Sequence, residues 1–399
     1  MSVRPVRPVR TALTAATLAA ALTAVTLVPA GAAFAAPVAA PAKPAHDATR
    51  RALDAAVAAG VPGAVAQARE GDARWTGTAG ERRGRDRYRI ASITKTFTAT
   101  VLLQLQAEGR LDLDDTVEKH LPGVVRGHGH DGRKVTVRQL LNHTSGIYNY
   151  TEDPAFQQRV FGSGFLRHRY DTWTPRQLVG VAMAHEPHFA PGASWHYSNT
   201  NFVLAGMVIE KVTGRPYGTA VENRIVKPLK LRATSVPGTD HRMPRPHSAA
   251  YSKLDGGADG PTHDVTALNP SIAGAAGEIV SDSADLQTFF RALLQGRLIP
   301  AAEMRELTTT LPVSAEHPRH RYGLGISWQK LSCGKEIWGH GGGIHGSISE
   351  AYTTRDGEHS LAANFNADWT GDSQAVVEAE FCGTVPSKRS GSGAGPARG

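Results

Sequence analysis

The chain lacks the residue patterns that several chemistries require. Only Cys333 and Cys382 occur among its 399 residues, which excludes a cysteine-rich scaffold and a zinc site built on cysteines. There is no Gly-x-Ser-x-Gly, so the usual strand-to-helix serine elbow is missing. Neither a phosphate-binding Walker loop nor a His-Glu-x-x-His is present. Gly341-Gly-Gly-Ile-His-Gly346 has dinucleotide-binding spacing but leads into a strand pattern, so no helix N-terminus follows to hold a pyrophosphate. No internal repeat is visible.

Charge is also scarce where a polyanion would need it. The formal net charge is +8. Arg4, Arg7 and Arg10 account for three of these and Lys388, Arg389 and Arg398 for three more, with no acid in either terminal stretch, leaving +2 for the body. With no basic helix interleaved with aromatics, a nucleic-acid partner is excluded.

What is present begins with an export-like leader over residues 1–35. Three arginines precede an apolar run from Thr11 to Pro29, and Ala33-Phe34-Ala35 offers small residues for cleavage. There is no twin arginine, which favours the general secretory route. An uncleaved anchor is the alternative. No later run is long and apolar enough to span a bilayer, so no stable membrane span is expected after leader removal. In an exported chain a lone cysteine pair forms a disulfide, here Cys333 to Cys382; two free thiols are the alternative.

Hydrophobic periodicity predicts a helix over 47–60, a hairpin from Pro62 to Gly80 and a helix from the Ser92 region to Leu105, closed by Glu108-Gly109. Helical patterns dominate 175–229, a Pro/Gly-rich loop spans 234–270, and a helix resumes at Ser283–Leu294. Strand patterns return from Tyr322, and a helix over 372–381 follows. The expected domains are a discontinuous α/β sheet domain (47–145 and 280–383), a helical insertion (146–279) and a disordered tail (384–399). Gly127-His-Gly-His-Asp-Gly-Arg-Lys134 invites a metal reading through His128 and His130, but a solvated loop accounts for it. No metal or cofactor is expected.

Three stretches carry candidate chemistry. Ser92 stands three residues before Lys95, so on a helix the amine reaches the hydroxyl. Serine needs such a base to become nucleophilic, and burial lowers a lysine toward that role. Ser327/Lys330 and Ser332/Lys335 share the spacing but lie in chain that reads as extended, where i and i+3 face apart. Tyr197-Ser-Asn199, the only Tyr-x-Asn, precedes an apolar helix; a phenol there can carry a proton and an amide can bind a carbonyl. Trp338-Gly-His340-Gly-Gly-Gly343 lets a ligand approach a strand closely. Taken singly, these read equally as a capped helix start with a snorkelling lysine, a capping asparagine and a glycine-rich turn.

In the order Ser-x-x-Lys, Tyr-x-Asn, His-x-Gly, the three resemble the penicillin-recognising serine hydrolases: class C β-lactamases, D-alanyl-D-alanine carboxypeptidases and related esterases. The likeness extends to Leu140-Leu-Asn-His-Thr-Ser-Gly-Ile147, Ala275-Ala-Gly-Glu-Ile-Val280 and Tyr322-Gly-Leu-Gly325. Ser198–Met207, Leu331-Ser-Cys-Gly-Lys335 and Phe381-Cys-Gly383 are similar to the secreted actinomycete carboxypeptidases of that family.

The resemblance implies a β-lactamase/transpeptidase-like α/β fold, an antiparallel sheet flanked by helices with a helical insertion. It also implies an acyl-enzyme on Ser92, with Lys95 as proton acceptor and Tyr197 exchanging protons with the leaving group. Asn199, His340, Gly342 and Gly343 would bind substrate. His340 stands where many relatives have lysine, so its charge is expected to vary near neutral pH. The N–H groups of Ser92 and Gly343 would hold the oxyanion.

The implied partner is a peptidoglycan-type D-alanyl peptide or another small acyl compound, handled by a secreted monomer and acylated by β-lactams. An esterase or amidase of the same fold is the alternative, and a low-turnover penicillin-binding protein stands as another class. One departure bears on this choice. Where those carboxypeptidases place an arginine for the terminal carboxylate and hydroxyl residues beside the His-x-Gly, this chain has Ser327, Gly341 and Gly343. Losing that charge-assisted contact weakens the case for a free D-alanine terminus.

Overall fold

Strand segments from the two ends of the sequence meet in one sheet. The computed structural model describes residues 46–257 and 259–385; the expected leader and nearly all of the expected tail lie outside them. The strands are β1 (Gly63–Glu70), β2 (Ala73–Gly80), β3 (Leu311–Pro312), β4 (His320–Tyr322), β5 (Ser327–Lys330), β6 (Glu336–Ile344), β7 (Ser347–Thr353) and β8 (His359–Phe365). They form an eight-stranded sheet in the order β2-β1-β8-β7-β6-β5-β4-β3, antiparallel at each junction. Gly71 at φ +57° closes the first hairpin. The β1–β8 pairing, Ala64 opposite Phe365, joins the two ends of the chain.

The two-residue period of the strands divides the core. Ala64, Ala66 and Ala68 of β1, with Leu361, Ala363 and Phe365 of β8, face one apolar cluster. Val65 and Ala362, one residue out of phase, face the other. The first cluster is covered by α1 (Asp47–Ala58) and by the C-terminal helix Ser373–Cys382. Cys333, in the turn between β5 and β6, is bonded to Cys382 at the end of that helix.

The opposite cluster is built around α2 (Thr94–Ala107). Every residue of α2 from Thr94 to Leu103 is buried, so it is a core helix and not an amphipathic one. Its buried threonines are satisfied: Thr96 Oγ1 donates to Gly325 O at 2.6 Å and Thr98 Oγ1 to Ala275 O at 2.9 Å. These bonds tie the helix to the Tyr322–Gly325 and Ala275–Val280 stretches. Phe97 stacks on Phe289 with centroids 3.7 Å apart.

Residues 146–279 are helix and loop apart from the two-residue strands Tyr251–Ser252 and His263–Asp264. The main helix there is α3 (Asn199–Thr213), ended by Gly214 at φ +69°. The helix Ala301–Thr308 and the short helical turns over 154–168 were not legible as pattern. Among the described residues no helix is long and apolar enough to cross a membrane.

Candidate active site

Ser92 lies in a single 3-10 turn, Ala91–Ile93, that runs directly into α2. The turn starts from Ala91 at φ +46°, a left-handed conformation that a non-glycine residue holds only under constraint. Strand β6 supplies that constraint. A Cβ on Gly342 would stand 2.2 Å from Ile90 O and 3.1 Å from Ser92 N, so only glycine lets β6 lie against the Ser92 turn. The three glycines lie on the strand, as the reading of a strand open to close approach expected, and not in the alternative glycine-rich turn.

Lys95, in the first turn of α2, is fully buried. Its Nζ lies 2.9 Å from Ser92 Oγ, 2.7 Å from Asn199 Oδ1 and 2.8 Å from the Ala276 carbonyl oxygen. Burial holds its pKa well below the usual lysine value. A neutral amine has two hydrogens and one lone pair. In that form, with Asn199 and Ala276 accepting the hydrogens, the lone pair faces the Ser92 hydroxyl.

Tyr197 brings its phenol to Ser92, and its ring lies 4.8 Å from Lys95 Nζ. Burial raises the phenol pKa far above neutrality, more than the Ser92 hydrogen bond lowers it. A lysine pushed down and a tyrosine pushed up fit the chemistry of a base and a proton donor at this point.

His340 departs from expectation. Burial, with Lys95 nearby, lowers it to about 3, so it is neutral and does not titrate near pH 7. Its Nδ1 faces the Gly341 carbonyl, which can only accept, so Nδ1 carries the proton. Nε2 then accepts from the Tyr322 hydroxyl at 2.9 Å.

Asn199 sits at the start of α3. Its Oδ1 takes Lys95, and its Nδ2 donates to Thr151 Oγ1 at 3.1 Å. Both ends of the amide therefore have protein partners, and a substrate contact there must exchange one of them. Gly343 lines the same cleft as Ser92. The cleft is narrow, and Tyr150, Phe161, Ile272 and Ile344 give it apolar walls.

The other serine–lysine spacings fall away for two reasons. Ser327 is buried on β5 while Lys330 is exposed, as a strand requires. Ser332 is in the tight turn after β5, not in extended chain, and bonds Glu378.

Sequence reasoning assigned no task to Ala276 or His143. Ala276 supplies a backbone carbonyl, which no side-chain motif reveals. His143, fully buried, accepts the Ser198 N–H on Nδ1 at 3.2 Å and packs against the Tyr197 ring at 4.3 Å. It fixes the loop that carries Tyr197, and the Leu140–Ile147 stretch was its signal. One group of possible metal ligands exists among the described residues: donor atoms of Glu152, His188 and His196 lie within 4.8 Å of one another. The two imidazoles stack, with centroids 3.9 Å apart, and both face the carboxylate. Stacked rings aim their nitrogens side by side, which suits an acid–histidine ladder better than a tetrahedral ion. His128 is not in this group and bonds Met183 O.

Comparison with known proteins agrees with this geometry. The family model described as Beta-lactamase matches residues 48–375. The chain belongs to the beta-lactamase family. The structure is similar to a D-stereospecific amidohydrolase from Streptomyces sp., with 76% identity and a TM-score of 0.84, over 86% of this chain and 100% of that one. It is also similar to a D-amino acid amidase from Ochrobactrum anthropi SV3, with 29% identity and a TM-score of 0.69, over 81% and 91% of the two chains. Protein flp of Staphylococcus aureus (strain NCTC 8325 / PS 47) is 33% identical over 171 residues, covering 43% of this chain and 32% of flp. The chain thus spans about a third of the length of the first curated relatives it matches. The antiparallel sheet with flanking helices is the fold that this beta-lactamase family membership requires.

Proposed function

We propose that this beta-lactamase-family serine hydrolase is an amidohydrolase acting on D-configured aminoacyl amides through an ester on Ser92. The observation that carries the reading is the buried Lys95 amine, 2.9 Å from the Ser92 hydroxyl and with its pKa held well below the usual lysine value by burial. Lys95 takes the hydroxyl proton as Ser92 Oγ attacks the acyl carbon. The Ser92 and Gly343 N–H groups hold the oxyanion. Tyr197 gives its proton to the departing amine, the C–N bond breaks, and Tyr197 is restored by the proton on Lys95. Water then repeats the sequence: it adds its hydroxide to the acyl carbon, and its proton passes through the same groups to Ser92 Oγ.

The substrate class rests on three supports. Two similar proteins are named a D-stereospecific amidohydrolase and a D-amino acid amidase. The cleft walls are apolar and suit an aromatic or branched acyl side chain. A carboxypeptidase needs a cation for the terminal carboxylate, and the two nearest in sequence are engaged elsewhere: Arg321 on Thr310 and Lys330 beside Glu336. The amidase reading therefore leads over the D-alanyl-D-alanine carboxypeptidase reading. β-Lactams are expected to acylate the same serine. The leader-like N-terminus and the disulfide support export of the protein.

The test compares hydrolysis of D-phenylalanine amide and its L-enantiomer. Sustained turnover of the D-form that disappears in Ser92→Ala supports the proposal. A D-Ala-D-Ala peptide preferred at least 100-fold over the same peptide amidated at its C-terminus, about 2.7 kcal/mol, restores the carboxypeptidase reading. Acylation without turnover on every substrate points to a penicillin-binding protein.

A further inference from the structure

A second cavity lies across the loop that walls the Ser92 cleft, and the Ser92 chemistry does not use it. It is a partly open cavity of about 330 Å³ between α3, the helix Tyr217–Val221 and residues 271–278. Gly274 and Ala275 line this cavity, while Ala276 and Gly277 line the catalytic cleft. The two spaces are therefore neighbours and not one pocket.

The chemistry of its walls is one-sided. Trp173, Leu178, Met207 and Tyr217 give it an apolar and aromatic body. Its charged groups are Glu210, Glu222 and Glu278, and no lysine, arginine or histidine among the described residues lines it. Glu278 is buried at 3% exposure. The Tyr217 hydroxyl donates to its Oε1, and Oε2 has no hydrogen-bond partner. Burial raises its pKa to about 7, against the opposing pull of the Tyr217 hydroxyl and the Gly238 N–H, so a bound cation would draw it into the charged form. Arg89 also acts on it through its field; its Nη2 donates to the His241 and Leu268 carbonyls, and its Nε and Nη1 have no hydrogen-bond partner.

Buried carboxylates are normally paired. Here one oxygen of a buried carboxylate is left over beside a cavity that carries two further acids and an aromatic wall. We propose that this cavity binds an organic ammonium ion with an apolar body, an arylalkylamine or alkylamine, whose charged head is recognised by Glu278 with Glu210 and Glu222. The aromatic walls of Trp173 and Tyr217 favour the same cation through their π-faces. A ligand anion is excluded by the three carboxylates, and the volume is that of an ordinary small-molecule site.

The experiment is isothermal titration of the full chain with 2-phenylethylamine, and with 2-phenylethanol as the uncharged control. Ser92→Ala, Glu278→Gln and the cavity-filling Met207→Trp are titrated alongside, each checked for a native melting transition. Saturable amine binding is expected in the wild type and in Ser92→Ala. It should be at least tenfold weaker, about 1.4 kcal/mol, for the alcohol and in Glu278→Gln, and absent in Met207→Trp. Binding that survives both cavity substitutions unchanged, or no saturable heat in the wild type, overturns the proposal. If the substitutions prevent folding, a wild-type crystal soaked in 4-bromophenethylamine decides. Anomalous bromine signal beside Met207 supports the site, and its absence there overturns it.

Discussion

The Lys95 amine is 2.7 Å from the Asn199 side-chain oxygen, although the two residues are 104 positions apart in the chain. An amide at that point accepts a hydrogen from the amine without adding charge. A carboxylate would favour the ammonium form instead. Asn199→Asp is therefore expected to raise the Lys95 pKa and move the acid limb of the kcat/KM profile to higher pH. Asn199→Ala should lower kcat/KM by about 10- to 100-fold, roughly 1.4–2.7 kcal/mol, with little movement of that limb. An unmoved limb in Asn199→Asp would remove Lys95 from the role of base.

Lys95 also makes stability depend on pH. Its folded pKa is depressed by burial, whereas the unfolded lysine keeps its charge up to about pH 10.4. Between the two values the unfolded chain binds more protons, so stability rises with pH across that window. Lys95→Met removes the penalty. The variant should melt at least about 2 °C above the wild type at pH 7, with a gap that narrows as pH approaches 10. It should also be inactive. A variant that melts below the wild type at pH 7 contradicts the lowered Lys95 pKa.

Gly342 separates catalysis from stability in a different way. The missing Cβ would meet Ile90 O at 2.2 Å, so Gly342→Ala must push β6 away from the Ser92 turn. Overpacking of this kind typically takes about 1–3 kcal/mol from stability, which a protein of this size can survive. Activity should fall by more than about 100-fold, because the Ser92 and Gly343 N–H groups no longer converge. Activity within tenfold of wild type would show that the oxyanion is held elsewhere.

The Cys333–Cys382 bond closes 49 residues of sequence. In the chain-entropy picture a loop of that length is worth about 4 kcal/mol. Replacing both cysteines by serine should lower the melting temperature by about 6 °C while leaving kcat near its original value at 25 °C. The bond joins the β5–β6 turn to the C-terminal helix, and neither cysteine lines the Ser92 cleft. A large drop in kcat at full folding would tie the disulfide to the site.

Local periodicity carried much of the secondary structure. The first hairpin, α2, α3 and the three long C-terminal strands follow from apolar patterning and from Gly71, Gly109 and Gly214 at left-handed positions. The helix Ala301–Thr308 escaped because its apolar positions are few and its partners are distant in the chain.

The sequence by itself determined which residues can do chemistry. A serine three positions before a lysine at a helix start, a unique Tyr-x-Asn and a glycine run after His340 are local facts. Their spacing is fixed by 3.6-residue helices and two-residue strands. Only the tertiary structure decided the charge each group carries. Burial belongs to the assembled core, so the lowering expected of Lys95 became definite only in the fold, and the raised Tyr197 and the neutral His340 were not legible from the chain. The same holds for the Ala276 carbonyl, because a backbone oxygen gains a role only when folding places it. It holds as well for the meeting of Gly342 with Ile90, since contact between chain segments about 250 residues apart is set by the packing of β6 on the Ser92 turn, not by either segment alone.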